Sequence, residues 1–299
     1  MKNCFFILLG LIFLFGCRKD NQDPTTIENN LNLENTGDFI FDSYPTANSK
    51  PVAVFFHIPN GIDKSYAPIL FVLPGMNRNA EEYRDSWIAL ANQFQFMVFS
   101  LEFSNQFFPN SNAYQEGFVF NENGVLNDES VWTFSFIEPI FDKIKEALNH
   151  QNNTYDIFGH SAGAQFVHRF IIFKPLSRVD RAISANAGWY TLPNELIAYP
   201  YGLLTTPLSD NDLENFFNSN LIIHIGENDN NPNDPSLRKT PEANAQGLNR
   251  FERALYFYNK SDSICASKNY NYSWSIDQVD DVGHDHQLMA NYAAEYLYQ

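Results

Sequence analysis

One serine lies between two glycines in the stretch Gly159-His-Ser-Ala-Gly163. The apolar run 155–158 before it predicts a strand, and residues 161–173 predict a helix. On a sharp strand-to-helix turn, a serine projects its hydroxyl from the sheet edge, and small neighbours make the turn possible. The N–H of Ala162, at the helix start, can face a developing oxyanion. The pattern predicts that Ser161 is a nucleophile, with a flexible structural turn as the alternative.

A serine hydroxyl needs a base that takes its proton. Two histidines follow the last predicted strand, His284 and His286 in the stretch DVGHDHQLM. Three other histidines lie inside a predicted strand or too close in sequence to turn a ring onto the serine: His224, His160 and His168. The residues alone leave His284 and His286 as candidate bases.

A carboxylate that orients the base is expected on a loop after another strand. The stretch Gly226-Glu-Asn-Asp229 directly follows the predicted strand 221–225. The candidate carboxylates there are Glu227, Asp229 and Asp234. The Asp/Asn-rich run 228–234 lacks the spacing and closing glutamate of an EF-hand, which favours a solvated loop over a calcium site.

Short apolar runs alternate with helical patterns from residue 38 onward. The predicted strands are 52–58, 69–73, 96–101, 155–158, 181–185, 221–225 and 272–276, and the predicted helices are 79–93, 133–149, 161–173, 243–257 and 286–298. This alternation is typical of an α/β fold, with a mostly parallel central sheet and helices on both faces. We expect one catalytic domain, residues 38–299. Two long segments, 104–130 and 186–219, interrupt the alternation and are predicted to be lid-like.

The motif GHSAGAQFVHRF resembles the nucleophile elbow of the α/β-hydrolase superfamily. Together with NAGWYTLP and DPSLRKTPEANAQGLNRFERALYFY, it is similar to exported bacterial serine esterases related to polyhydroxybutyrate depolymerases and feruloyl esterases. The resemblance implies the chain order Ser, Asp, His, and therefore a triad of Ser161, Asp229 and His284. It also implies ester hydrolysis through an acyl-enzyme, with no metal and no organic cofactor.

The resemblance further implies a second oxyanion-binding N–H on the loop after an earlier strand. FVLPGMNRN provides such a loop, with Pro74 where the family commonly has histidine. A backbone donor is unaffected by that departure, so the N–H groups of Met76 and Ala162 form the predicted oxyanion hole. Asn77 or Arg78 is expected to contact substrate.

Two aromatic residues follow the predicted strand 181–185 in the stretch SANAGWYTLP. Ligands of open α/β sheets bind at the carboxyl ends of the strands. Trp189 and Tyr190 are therefore candidates to line an acyl or aromatic pocket. The alternative, of equal weight, is that both rings pack within the segment 186–219.

The N-terminal stretch MKNCFFILLGLIFLFGC has one lysine, an apolar run from Phe5 to Phe15, and then Gly16-Cys17. A run of this length is short of the about 20 residues that span a bilayer and is typical of a secretory signal peptide. Its end resembles a bacterial lipobox. We expect a lipoprotein signal peptide at 1–16 and a flexible tether at 17–37 that starts with lipidated Cys17. An ordinary signal peptide with a coincidental cysteine is the alternative.

The expected location is therefore that of an exported bacterial lipoprotein on the periplasmic or cell-surface face of a membrane. With Cys4 in the signal and Cys17 lipidated, Cys265 is left alone and the exported domain is expected to have no disulfide.

Acidic residues outnumber basic ones, 35 to 19, for a net charge of −16. The sequence has no Lys/Arg cluster that grips phosphates, which excludes nucleic-acid binding as the main function. We expect a small or polymeric ester as substrate, and contact with a membrane through the lipid alone. A peptidase or amidase with the same triad, or a catalytically silent binding protein of this fold, is the alternative.

Overall fold

The strands of the computed structural model belong to one sheet, and the structure describes residues 31–44 and 50–299. The strands are β1 (Thr36–Phe41), β2 (Val52–His57), β3 (Ile69–Leu73), β4 (Met97–Glu102), β5 (Tyr155–His160), β6 (Val179–Ala185), β7 (Leu221–Gly226) and β8 (Ser275–Val279). The predicted signal peptide, Cys17 and most of the predicted tether lie outside the described residues. Residues 32–299 form one compact unit.

The strand order in the sheet is β1-β2-β4-β3-β5-β6-β7-β8. The pairs β1–β2 and β2–β4 are antiparallel, and all later pairs are parallel. Every residue of β3, β5 and β7 is buried, as expected for central strands covered on both faces. The predicted mostly parallel sheet is confirmed, and the carboxyl ends of β3 and β5–β8 share one edge.

Helices cover both faces of this sheet. They are α1 (Ala80–Phe94), α2 (Asn110–Ala113), α3 (Ile137–Leu148), α4 (Ala162–Phe173), α5 (Asp210–Phe217), α6 (Pro241–Asn244), α7 (Arg250–Lys268) and α8 (His286–Tyr298). Alternate side chains of β3 point to opposite faces. Leu70 packs in a core with residues of α1 and α8, whereas Phe71 contacts Phe141 of α3. No helix of the described chain is both long and apolar enough to cross a membrane.

Several boundaries differ from the predictions for local reasons. The helix expected at 243–257 begins at Arg250, because the Asn249 side chain caps it by accepting from the N–H of Glu252. The strand expected at 272–276 starts at Ser275, since the preceding Trp274 is buried and donates its indole N–H to Phe216 O. Residues 133–136 form a 3₁₀ turn ahead of α3.

The domain also begins earlier than the sequence predicts. The tether was expected to reach residue 37, but β1 starts at Thr36, and Leu33 is buried. The strand has alternating exposed and partly buried residues because it lies at the sheet edge, so it lacks a continuous apolar run. The long segments 104–130 and 186–219 contain α2 and α5, respectively. A lid function for either segment stays a prediction.

Candidate active site

The turn between β5 and α4 holds Ser161 in a strained conformation. Its φ is 57° and its ψ is −112°, a backbone region that residues with a side chain rarely adopt. The turn is packed so closely that a Cβ on Gly159 would lie 2.2 Å from Gly163 O, and one on Gly163 would lie 2.0 Å from Leu73 O. Only glycine fits at these two positions, and the turn therefore projects the Ser161 hydroxyl from the edge of the sheet.

The loops after two neighbouring strands, β7 and β8, bring a carboxylate and a histidine to this serine. His284 Nε2 lies 3.1 Å from Ser161 Oγ, and His284 Nδ1 lies 2.6 Å from Asp229 Oδ2. The carboxylate accepts the Nδ1–H, which leaves Nε2 free to accept the serine proton. Ser161 and His284 are partly exposed, whereas Asp229 is buried. The arrangement can deprotonate the hydroxyl and stabilise the resulting imidazolium.

Arg250 provides a cation beside the buried carboxylate. Its Nη1 is 3.2 Å from Asp229 Oδ1 and 3.0 Å from Asp234 Oδ2, and its Nη2 donates to Ser236 Oγ. Burial alone would raise the pKa of Asp234, but the hydrogen bonds from Ser236 and Arg250 outweigh it and hold this pKa at about 2. Asp234 thus shares the arginine with Asp229, and one guanidinium contacts both carboxylates.

The other candidates for base and acid lie elsewhere. The His286 ring stacks on Tyr83 at 4.2 Å, and its Nε2 lies 3.5 Å from Glu82. The Glu227 side chain is exposed, and its backbone N–H donates to Val279 O. Among the sequence candidates, His284 and Asp229 are therefore the pair that lies beside Ser161.

The loop after β3 passes directly next to the serine. A Cβ on Gly75 would lie 3.6 Å from Ser161 Cβ. Met76, the next residue, is 59% exposed, and Asn77 is exposed as well. The N–H of Ala162 is the first of α4, so it has no acceptor within the helix. The two predicted oxyanion donors therefore belong to elements that meet at Ser161.

Solved structures with the same fold are hydrolases. Poly(aspartic acid) hydrolase-1 from Sphingomonas sp. KT-1 matches with a TM-score of 0.85 and 37% identity, over 89% of this chain and 99% of that chain. A poly(3-hydroxybutyrate) depolymerase from Bordetella parapertussis matches with a TM-score of 0.85 and 27% identity, over 89% and 90% of the two chains. An S-formylglutathione hydrolase from Agrobacterium tumefaciens, at 13% identity and a TM-score of 0.54 over 88% and 92%, shares the fold.

The chain belongs to the α/β-hydrolase superfamily. This is the family that the motif around Ser161 predicts, and the relatives mark the chain as a hydrolase. No protein-family model and no curated protein matches it. The part of the chain that the structure describes contains no group of three or more His, Cys, Asp or Glu side chains able to hold a metal ion.

A buried arginine fixes the loop 74–78, which carries the predicted oxyanion donor Met76. The Arg78 guanidinium donates to three carbonyls of the segment that follows β4, those of Phe103, Phe108 and Asn110. It also stacks on the Tyr114 ring at 3.8 Å, and the Tyr114 hydroxyl donates to Pro74 O. Arg78 is only 4% exposed, so its guanidinium bonds to protein groups. The sequence predicts a substrate contact by Asn77 or Arg78, and Arg78 has this structural role instead.

Tyr83 of α1 connects the loop 74–78 to the serine turn. Its hydroxyl hydrogen-bonds the backbone of Gly75 and lies 3.0 Å from His160 Nδ1. Burial, and then the neighbouring His284, hold the pKa of His160 well below its usual value. His160 is therefore a neutral imidazole, and its ring centroid lies 4.6 Å from that of His284. Sequence reasoning missed Tyr83, because only the fold brings α1 beside the turn.

The two aromatic substrate candidates are enclosed. The Trp189 ring is 3% exposed. Two guanidinium groups contact it, with the Cζ atoms of Arg169 and Arg238 at 4.1 Å and 4.6 Å from the ring centroid. Tyr190 is fully buried and stacks on Phe257 at 4.4 Å. Both rings are buried, but these partners lie outside the segment 186–219, so neither ring packs against that segment alone as the alternative expected.

Proposed function

We propose that this α/β-hydrolase is a serine esterase that cleaves carboxylic esters through an acyl-enzyme. The observation that carries the proposal is the chain of two hydrogen bonds from Ser161 Oγ through His284 to Asp229. A nucleophile hydrogen-bonded to a base, which is in turn oriented by a carboxylate, is the arrangement for acyl transfer.

In the proposed mechanism, Ser161 Oγ attacks the ester carbonyl carbon while His284 Nε2 takes the hydroxyl proton. The N–H groups of Met76 and Ala162 stabilise the oxyanion of the tetrahedral intermediate. As the intermediate collapses, His284 returns the proton to the leaving alcohol, and the acyl group stays on Ser161. Water then attacks the acyl-enzyme, with His284 again as base, and releases the acid. Asp229 holds the imidazole and stabilises its cation in both halves.

Charge favours a neutral substrate over a polyanion. Two exposed carboxylates, Asp281 and Asp285, lie within three residues of His284, and the whole chain carries a net charge of −16. The two arginines described at the site, Arg78 and Arg250, are buried and hydrogen-bonded within the protein. An anionic polymer would therefore be repelled. A neutral ester, such as the polyester that the Bordetella relative's name specifies, suits this surface better.

An amidase is the second candidate, and one observation favours it. The relative at 37% identity is named a poly(aspartic acid) hydrolase, and the bonds of that polymer are amides. The same serine, histidine and carboxylate serve ester and amide hydrolysis. Rates with matched nitrophenyl esters and nitroanilides of one acyl group separate the two, and a higher kcat/KM for the anilide would refute the esterase proposal.

The proposal is tested by labelling the full chain with a fluorophosphonate, which reacts with activated serines. We expect the wild-type protein to be labelled and to hydrolyse nitrophenyl esters, and Ser161→Ala to do neither. A folded wild-type protein that remains unlabelled and inactive would favour the silent binding protein instead.

We further propose that the chain is an exported lipoprotein anchored through Cys17. The support is the short apolar run followed by Gly16-Cys17 and a polar stretch. Growth with labelled palmitate should mark the wild-type protein but not Cys17→Ala. Cys265→Ala is the matched control, since Cys265 is a free, buried cysteine within the domain. Label retained by Cys17→Ala would rule out this anchor.

A further inference from the structure

The carboxyl end of β6 is hydrogen-bonded to the three backbone segments that carry the candidate triad. Ala185 O, at the last residue of the strand, accepts the backbone N–H of Ser161 at 3.0 Å. The next residue, Asn186, reaches the loops that carry the other two members. Its Oδ1 accepts the N–H of Gly226 at 2.9 Å, and its Nδ2 donates to Gly283 O at 2.9 Å.

These two glycines lie at the start of the turn to Asp229 and directly before His284. Gly226 ends β7 and opens the turn to Asp229, whose N–H donates back to Gly226 O at 3.0 Å. Gly283 directly precedes His284. The two loops also touch each other, because the N–H of Asn228 donates to Val282 O. One side chain therefore ties both loops to the strand that also holds the serine turn.

Asparagine is the residue type that this position requires. Gly226 N–H can only donate and Gly283 O can only accept, so the side chain must present one acceptor and one donor. The φ of Asn186 is 52°, a left-handed conformation that asparagine tolerates better than most residues. Asn186 is fully buried, so removal of the amide leaves the Gly226 N–H and the Gly283 carbonyl without their protein partner.

We propose that Asn186 is a positioning residue, whose amide sets the register of the Asp229 and His284 loops against the serine turn. The inference rests on the proposed serine chemistry and adds a residue that acts through the base and the acid without touching substrate. Misplacement of a base by about 1 Å is enough to cost about 100-fold in rate.

The test compares the second-order rate constant for fluorophosphonate labelling in the full chain. Asn186→Gly removes the amide and relieves the left-handed backbone, and we expect labelling about 100-fold slower than in wild type. The control is Asn269→Gly, at an exposed asparagine with φ 58° that caps the end of α7. The control should label at the wild-type rate.

A purely structural role predicts a different pattern. Loss of folded protein lowers the labelled fraction but leaves the rate constant of the remaining molecules unchanged. Asn186→Asp is the second variant if Asn186→Gly does not fold. It has the same shape and still accepts from Gly226, but its carboxylate cannot donate to Gly283 O, so its rate constant should also fall.

The outcomes separate this inference from the proposed function. An unlabelled wild-type protein refutes the serine hydrolase and the inference with it. A labelled wild-type protein, with a folded Asn186 variant that labels equally fast, refutes the role of Asn186 alone.

Discussion

The two flanks of Ser161 are held in different ways. On the acid–base flank, the loops of Asp229 and His284 are fixed by short hydrogen bonds to the ends of neighbouring strands and to Asn186. On the oxyanion flank, the loop 74–78 is fixed by side-chain contacts with the long segment after β4. The first flank is thus held mainly by hydrogen bonds at the ends of the strands, whereas the second depends on the long segment that follows β4.

The largest effect is expected from the acid–base flank. Asp229→Asn keeps the shape but presents an amide to His284 Nδ1, which favours the wrong tautomer of the imidazole. We expect kcat for a nitrophenyl ester to fall about 10⁴-fold. Asp234→Asn is the matched control, because it alters the other carboxylate on Arg250 and should retain most of the activity. Equal losses in the two variants would show that the arginine cluster matters more than the acid.

A smaller but clear effect is expected from the oxyanion flank. Arg78→Lys keeps the charge and loses the planar fork that reaches three carbonyls, so the loop with Met76 should lose its position. We expect kcat to fall by up to about 100-fold, as for a poorly placed oxyanion donor. Arg84→Lys is the control, since Arg84 is also buried and donates to backbone carbonyls elsewhere. If both variants keep wild-type kcat, the loop is held by other contacts.

Tyr83, which links the two flanks, should have a smaller effect on kcat than either of them. Tyr83→Phe keeps the ring against His286 and removes the hydroxyl that joins Gly75 to His160. The lost hydrogen bond should lower the free energy of unfolding by about 1 kcal/mol, and kcat should fall about tenfold. Tyr155→Phe removes another buried hydroxyl, bonded to Glu138, and should affect stability without affecting kcat. An unchanged kcat in Tyr83→Phe would show that the two flanks are positioned independently of this hydroxyl.

The last predicted effect is on the free energy of unfolding at low pH and involves no change in kcat at neutral pH. Burial lowers the pKa of both His160 and His168 well below the usual value of about 6.5, so both are neutral when folded and gain a proton when unfolded. Their stabilising contribution is complete above that value and is lost as the pH falls below it. Each group should lower the free energy of unfolding by up to about 1.4 kcal/mol per pH unit there.

Chemical denaturation at a series of pH values measures this slope. His168→Gln removes one of the two groups, while its amide still offers an acceptor near the Thr191 N–H that His168 binds. The variant should lose less stability than wild type between pH 6.5 and 5.5. Identical slopes in the two proteins would contradict the assignment for His168.

The difference between the flanks also explains what the sequence predicts. Ser161 and Asp229 each follow a strand with a strong apolar pattern, His284 follows the last strand, and parallel strands bring such positions to one edge. The proximity of these three residues could therefore be predicted from the sequence. Asn186 and Tyr83 act through contacts with residues far away in sequence, for which no local pattern exists. The edge strand β1 was missed for a related reason, since its alternating residues resemble a polar linker.

Arg78 is the most instructive case. In the sequence it is a cation beside the oxyanion loop and suggests a substrate contact. In the fold, its guanidinium is enclosed by three carbonyls and the Tyr114 ring. Whether a loop cation faces solvent or the interior depends on how the distant segment folds over it, and local composition does not encode that.

The contact between Tyr114 and Pro74 O has a practical consequence for protein engineering. Long surface segments near an active site are attractive targets for grafting, because exchanging them can transfer substrate preference between homologues. In this hydrolase, a graft that replaces residues 104–130 would also remove Tyr114, the partner of the loop 74–78. Exchanges that retain Tyr114 and the backbone path near Phe108 and Asn110 are therefore the ones expected to yield active chimaeras.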